Sequence, residues 1–242
     1  MKRPYSALLG LIVLMGSFAH SDARAQQGSS SVDVDRFETY QPGGLPDRWT
    51  FITSKNEIRP IADFMSDTER VWIVREGSNH FLRVMTEGEA LRISLVNNRS
   101  AGLDWDLKEH PELSWRWRAG HLPEGANEKE RNDAGAAVYV TFSRDWLGRP
   151  KSIKYTYSSS LPVGTVVSFG RLKVIVASSG TNGMGDWKTV RRNVVADYRR
   201  VFGEEPSQRP LLITLWSDSD DTGDRAEVDI DDLILLPEGG PN

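Results

Sequence analysis

Residues 113–118 alternate without exception, with Leu113, Trp115 and Trp117 on one side and Ser114, Arg116 and Arg118 on the other. A helix would scatter these side chains around its axis. A strand, whose successive side chains point to opposite faces, collects two indoles and a leucine on one face. Such a strand needs a second layer to cover its apolar side. Short segments rich in β-branched residues recur at 70–75, 80–85, 90–96, 136–142, 152–158, 172–177, 211–216 and 226–235. The first three are separated by Glu76-Gly77-Ser78-Asn79 and Glu87-Gly88-Glu89, the spacing of a meander. One helix is predicted, at 194–202. Asn193 is placed to cap it, Val194, Val195, Tyr198 and Phe202 form an apolar stripe, and Gly203 follows its end. Many strands and one short helix predict a mainly β chain, an antiparallel sandwich or a barrel.

The N-terminus carries Lys2-Arg3, then an apolar run from 7 to 19, then small residues ending in Ala23-Arg24-Ala25. This is the pattern of a cleavable export signal over residues 1–25, which predicts a periplasmic or secreted protein. The run is shorter than the ~20 residues a membrane-spanning helix needs, and no membrane span is expected after it. Residues 26–35 read as a flexible leader, 36–237 as one domain and 238–242 as a tail. The chain has no cysteine, which excludes disulfides, thiol nucleophiles and thiolate metal sites. Loss of residues 1–25 takes the formal charge from -4 to -6, a poor balance for general nucleic-acid binding.

Several blocks in one order carry a resemblance. They are Leu113-Ser114-Trp115-Arg116-Trp117-Arg118, Asn132-Asp133-Ala134, Lys151-Ser152-Ile153-Lys154-Tyr155, Leu161-Pro162-Val163-Gly164-Thr165, Arg192-Asn193-Val194-Val195-Ala196-Asp197-Tyr198 and Asp218-Ser219-Asp220-Asp221-Thr222-Gly223. Together they resemble the bacterial exported family known as domain of unknown function 3047, over roughly residues 37–236. That family implies no activity. The opening Phe37-Glu38 with Gly44-Leu45-Pro46-Asp47-Arg48-Trp49, and the closing Val228-Asp229-Ile230-Asp231-Asp232-Leu233-Ile234-Leu235, are similar to the first and last strands of jelly-roll carbohydrate-binding modules. The expected fold is accordingly a jelly-roll β-sandwich with one short helix.

Three groups of residues bear on function. Asp218, Asp220, Thr222, Gly223 and Asp229 follow the 1, 3, 5, 6, 12 spacing of a calcium loop, with Thr at the fifth position and Asp in place of Glu at the twelfth. Asp218, Asp220 and Asp229 are the expected ligands of a structural Ca2+, against the alternative of a solvated acidic turn. The resemblance to jelly-roll modules implies a second place for such an ion, at Glu38 with Asp231 or Asp232. Next, if Trp115 and Trp117 fill the core, Arg116 and Arg118 point away from it. With Tyr139, Lys154 and Asp133 they would line a groove for a carboxylated or phosphorylated glycan, because guanidinium forks match carboxylates and aromatic faces stack on sugar rings. The reverse assignment puts the tryptophans in the groove, and the plain alternative is a solvent-facing sheet with Arg–Glu cross-strand pairs. Finally, Arg191, Arg192, Asn193, Asp197, Tyr198 and Arg199 read as a helix cap with packed and exposed neighbours.

Catalytic patterns are incomplete. His80, His110 and His121 lack metal-ligand spacing, and there is no Gly-x-Ser-x-Gly elbow and no phosphate-binding glycine loop. The expectation is a protein that binds a saccharide or an acidic cell-envelope glycan without turning it over. Two alternatives stand beside it. One is a polysaccharide lyase or glycoside hydrolase using Tyr139 or Tyr155 as acid/base, and the other is an envelope structural or protein-interaction module.

Overall fold

The structure is a computed structural model that describes residues 30–53, 57–130 and 133–240. The predicted export signal lies outside the described residues. In chain order the strands are β1 (Val32–Asp35), β2 (Phe51–Ile52), β3 (Ile58–Arg59), β4 (Glu69–Glu76), β5 (Asn79–Glu87), β6 (Ala90–Val96), β7 (Glu112–His121) and β8 (Ala134–Arg144). They continue with β9 (Pro150–Ser158), β10 (Val166–Phe169), β11 (Leu172–Ser179), β12 (Lys188–Asn193), then the helix α1 (Val194–Phe202), β13 (Leu212–Asp218) and β14 (Arg225–Leu236). Strands β12, β7, β14, β5 and β4 form one sheet in that order, with β1 paired to the far end of β14. Strands β10, β11, β9, β8, β13 and β6 form a second, and β2 and β3 make a small ribbon. This is a jelly-roll β-sandwich, and all its pairs are antiparallel except β9 with β11, which run parallel.

The alternation of 113–118 decides how the two sheets meet. Leu113, Trp115 and Trp117 are wholly buried. Trp115 lies 5.6 Å from the ring of Tyr155 and Trp117 lies 5.4 Å from that of Tyr157, so β7 of the first sheet grips β9 of the second. The two indoles meet edge to face at 5.3 Å, a favoured geometry for aromatic pairs. Trp117 also donates its indole N–H to Ser178 on β11 at 2.8 Å. The register with Trp115 and Trp117 in a surface groove is thereby excluded.

The helix forms where its caps predict. The Asn193 side chain accepts from the Ala196 N–H, and Gly203 ends the helix at a φ of 73°. Five elements escape the hydrophobic pattern for physical reasons. β2 and β3 have two residues each. β12 carries a single apolar residue, Val190, and is held as an edge by its ladder to β7. β10 is an exposed edge paired to β11. β1 falls inside the segment expected to be a leader, because Val34 is buried and Val32 pairs with Leu235. Among the described residues no helix is long and apolar enough to cross a membrane.

Replacing Trp117 by Ala opens a cavity between the sheets and removes the bond to Ser178. We expect a loss of ~3–5 kcal/mol, read as a drop in melting temperature, with Trp117→Phe costing clearly less. A Trp117→Ala variant that melts with the wild type would show that this contact does not join the sheets.

Candidate functional site

The outward face of the second sheet is built from cross-strand rows. Ser94, Thr214, Tyr139 and Lys154 lie side by side across β6, β13, β8 and β9. Arg92, Trp216, Ala137 and Thr156 make the next row, and Val96, Leu212, Thr141 and Ser152 the row on the other side. The cause is local. Along β6 and β13, Arg92-Ile93-Ser94-Leu95 and Thr214-Leu215-Trp216 alternate, and Ile93, Leu95 and Leu215 go to the core. The Ser94 and Thr214 hydroxyls are 2.7 Å apart, and those of Thr141 and Ser152 are 2.9 Å apart. Trp216 and Tyr139 stack at 5.1 Å with a 23° angle between their planes. The Arg92 guanidinium lies 5.1 Å over the Trp216 ring and 5.7 Å over that of Phe51. Of these residues, Arg92, Ser94, Tyr139, Thr141, Ser152, Leu212, Thr214 and Trp216 line a groove of 490 Å³ together with Thr53, Arg144 and the turn at 147–150, within the size range of small-molecule sites.

Beyond Trp216 on the same face of β13 comes Asp218. It meets Asp133 and Asp220, whose carboxylate oxygens all lie within 4.8 Å of one another. Asp133 is buried and accepts the backbone N–H groups of Asp221 at 3.2 Å and Thr222 at 2.7 Å, which ties the 219–222 turn to the end of the 121–133 loop. Lys154 is fully buried, with its ammonium 5.7 Å from the Tyr139 ring centre. Burial lowers the Lys154 pKa, against the pull of Asp218, Glu128, Asp133 and Asp220. Burial also pushes the Asp218 carboxyl up to about 7, with Asp220 and Asp133 adding to the rise and Lys154 opposing it.

Tyr139, Lys154 and Asp133 therefore lie on the outer side of the second sheet, though of the three only Tyr139 lines the groove and Lys154 and Asp133 are buried beside it, whereas Arg116 and Arg118 do not lie there. Both face outward from the first sheet. Arg116 donates to Asp231 at 2.6 Å and to Asn79 at 2.7 Å, with Asp232 at 2.9 Å. Arg118 donates to Asp229 at 2.7 Å and to Glu76 at 2.9 Å. The alternation sends these arginines away from the core, and it also sends Lys154 away from the core, but on the opposite layer. The expected five-residue groove is thus split between two outer surfaces, and the arginines make the cross-strand acid pairs of the plain alternative.

The three expected calcium ligands are split in the same way. Asp229 is held by Arg83 at 2.6 Å and by Arg118, on the first sheet, while Asp218 ends β13 in the second. Asp133, which immediately precedes β8 where Ala134 pairs with Asp218, joins Asp218 and Asp220 in its stead. This donor set does not suit a calcium loop, which gathers six to eight oxygens. Lys154 already brings a positive charge to these carboxylates, and both oxygens of Asp133 accept backbone N–H groups. At the second expected place, Glu38 accepts the His80 backbone N–H at 3.2 Å, and Asp231 is bound by Arg116.

The tyrosines do not have the character an acid/base role demands, which is a lowered pKa. Burial holds Tyr139 well above the ordinary phenol range, with Asp218 reinforcing the shift. Tyr155 is raised likewise by burial and by Asp197, to which its hydroxyl donates at 3.1 Å. Asp197 is gripped in turn by Arg192 at 2.6 Å, so the third sequence group is helix packing. Arg92, Trp216 and the paired hydroxyls are absent from the residues that sequence reasoning singled out. Their signal was the polar–apolar alternation of β6 and β13, which marks an outward face but does not say that two such strands lie next to each other.

The model of the family described as Protein of unknown function (DUF3047) matches residues 62–234, and the chain belongs to that family. No curated protein matches the chain. Among solved structures it is similar to the family 11 carbohydrate-binding module of the cellulosomal cellulase Lic26A-Cel5E of Clostridium thermocellum, at 11% identity and a TM-score of 0.40 over 86% of this chain and 95% of that one. It is also similar to the family 30 carbohydrate-binding module of the cellulosomal cellulase Cel9D-Cel44B of the same organism, at 14% identity and a TM-score of 0.40 over 72% and 84% of the two chains. A cellulase derived from Cel12A of Rhodothermus marinus matches at 11% identity and a TM-score of 0.39 over 85% and 99%. Likeness of this degree bears on neither ligand nor activity.

The raised pKa of Asp218 has a measurable sign. Between about pH 4 and pH 7 the folded chain holds a proton that the unfolded chain has released, so this group makes stability fall as pH rises through that window. For one proton the slope reaches at most about 1.4 kcal/mol per pH unit. Asp218→Asn is expected to lose that part of the slope, measured by chemical denaturation at several pH values. Parallel stability curves for the two proteins would disprove the shift.

Proposed function

We propose that this DUF3047 protein is an exported saccharide-binding protein whose ligand lies in the groove on the outward face of the second sheet. The observation that carries the reading is the stacked Trp216–Tyr139 pair set among paired hydroxyls. A sugar offers an apolar C–H face and a rim of hydroxyl groups. Aromatic rings bury the face, and Ser and Thr hydroxyls serve the rim as either donor or acceptor. Ser94, Thr214, Thr141 and Ser152 bond one another in pairs, yet each hydroxyl has one donor and two acceptor positions, so capacity remains for a ligand. Tyr139, kept protonated by its surroundings, keeps an O–H that can donate. The groove is mixed in character and open to one side, which suits a segment of a glycan chain better than a fully enclosed small molecule.

The 1–25 pattern supports a periplasmic or secreted location, where envelope and extracellular glycans are met. Sequencing the N-terminus of the protein recovered from an export-competent bacterial host is expected to give Gln26. Recovery of intact Met1 in the cytoplasm would defeat the location.

Binding is tested by affinity electrophoresis and calorimetry against a panel of neutral and charged polysaccharides. The wild type is expected to bind at least one class, and Trp216→Ala to lose roughly tenfold in affinity through the lost ring face, with a melting curve confirming that the variant is folded. The reading fails if the wild type binds no polysaccharide, or if Trp216→Ala binds as the wild type does.

A further inference from the structure

The charge inside the groove narrows the ligand class. Among the described residues its lining contains Arg92, Arg144 and Arg149 and no acidic side chain, although the chain as a whole carries a formal charge of -4. Arg149 is occupied by Asp145 at 2.7 Å. Arg92 differs from the other arginines. It is partly buried, it donates at 3.4 Å to the backbone oxygen of Ile52, and among the described residues it forms no ion pair. Every other partly buried arginine among the described residues pairs with a carboxylate. Arg48 does so with Asp35, Arg83 and Arg118 with Asp229, Arg116 with Asp231, Arg171 with Asp145, Arg191 with Glu112 and Arg192 with Asp197.

A partly desolvated guanidinium without a carboxylate is costly, because burial disfavours the charged form and ring faces and a carbonyl repay that only in part. The surroundings of Arg92 bear this out. Burial lowers its pKa, the neighbouring Arg144 lowers it further, and only the Tyr139 hydroxyl acts the other way. Its planar fork is fixed by packing over Trp216 and Phe51, so little freedom is lost when it binds a planar anion. Held this way, Arg92 adjoins the ring on which a sugar would stack.

We infer that the groove takes a saccharide bearing an anionic group, a uronate carboxylate or a sulfate ester, and that Arg92 binds that group. The inference rests on the saccharide reading above and adds to it the charge of the ligand and the residue that selects for it. The ordered counter-charge that every comparable arginine finds within the protein would here come from the ligand. Arg144 lies on the same side and raises the positive potential of the groove, which steers an acidic chain toward it.

Matched polymers that differ only in charge provide the test. Wild type, Arg92→Gln and Arg92→Lys are titrated by calorimetry with polygalacturonate and its methyl ester, and with chondroitin sulfate and its desulfated form, at low and at high salt. Melting curves first confirm that each variant is folded. The wild type is expected to bind at least one charged polymer tenfold or more tightly than its neutral twin, and to lose that advantage at high salt. Arg92→Gln should bind charged and neutral twins alike, and Arg92→Lys should recover part of the preference, since it keeps the charge but not the fork. The carboxylate and sulfate arms tell which anion is preferred. Equal binding of charged and neutral twins by the wild type overturns this inference and leaves saccharide binding standing. A charge preference undiminished in Arg92→Gln overturns the role of Arg92. Binding of neither twin in either pair, while the wider panel yields a neutral ligand, also overturns the inference. Failure with every polysaccharide overturns both readings together.

Discussion

Two tryptophans of one sheet lie against two tyrosines of the other, and the rest of the arrangement follows from that contact. With Trp115 and Trp117 turned toward Tyr155 and Tyr157, the parity of β7 and of β9 is settled along their whole lengths. A shift of one residue would turn every side chain to the opposite face. Arg116 and Arg118 must then leave the core on one side of the molecule, and Ser152, Lys154 and Thr156 on the other. The burial of four large rings thus sets the chemistry of both outer surfaces.

Those surfaces have opposite electrostatic designs. On and beside the first sheet, Arg36, Arg83, Arg116, Arg118 and Arg225 interleave with Asp229, Asp231, Asp232, Glu76 and Glu227, so charges are matched across neighbouring strands. Such a network leaves little unbalanced potential with which to recruit a partner. On the second sheet, hydroxyls pair with hydroxyls and rings with rings, and the charges are segregated. An acidic group with an internal lysine occupies one end of the face, and arginines occupy the groove beside it. A surface of the second kind has specificity to offer, since it presents donors in fixed positions and leaves their complement to come from outside.

Much of this architecture can be read from the chain, and what cannot be read has a common origin. The strand at 90–96 and the helix at 194–202 stand where their periodicity and caps put them, because those signals are local. β12 and β1 are not legible in the sequence, because each owes its existence to a neighbour far off in the chain; β12 has one apolar residue, and the alternation of β1 is only four residues long. The candidate site followed the same rule. Tyr139 and Lys154 are cross-strand neighbours joined by a short turn, and proximity in sequence brought them together. Trp216 and Arg92 reach Tyr139 only through the order of β6, β13 and β8. Asp133 reaches Asp218 only because β8, which it precedes, pairs with β13, distant in sequence. The 218–229 spacing suggested an ion site in one continuous loop, whereas the chain changes sheets between those two residues and each aspartate finds its partners in a different layer.

The position of β14 also bears on the order of events by which the chain folds. Although the last of the described strands in chain order, it lies inside its sheet with β7 along one edge and β5 and β1 along the other. Its partner Val32, opposite Leu235, stands near the start of the described chain. The first sheet therefore cannot close while the C-terminal segment is still being synthesised, because β5 and β7 have no bridge between them until β14 arrives. Loops that span so much sequence are entropically costly to close, and folds dominated by such pairings form slowly. The two ends of the domain are thus held together through one strand, and until that strand is in place the inner edges of β5 and β7 stay open to whatever machinery handles unfolded polypeptide.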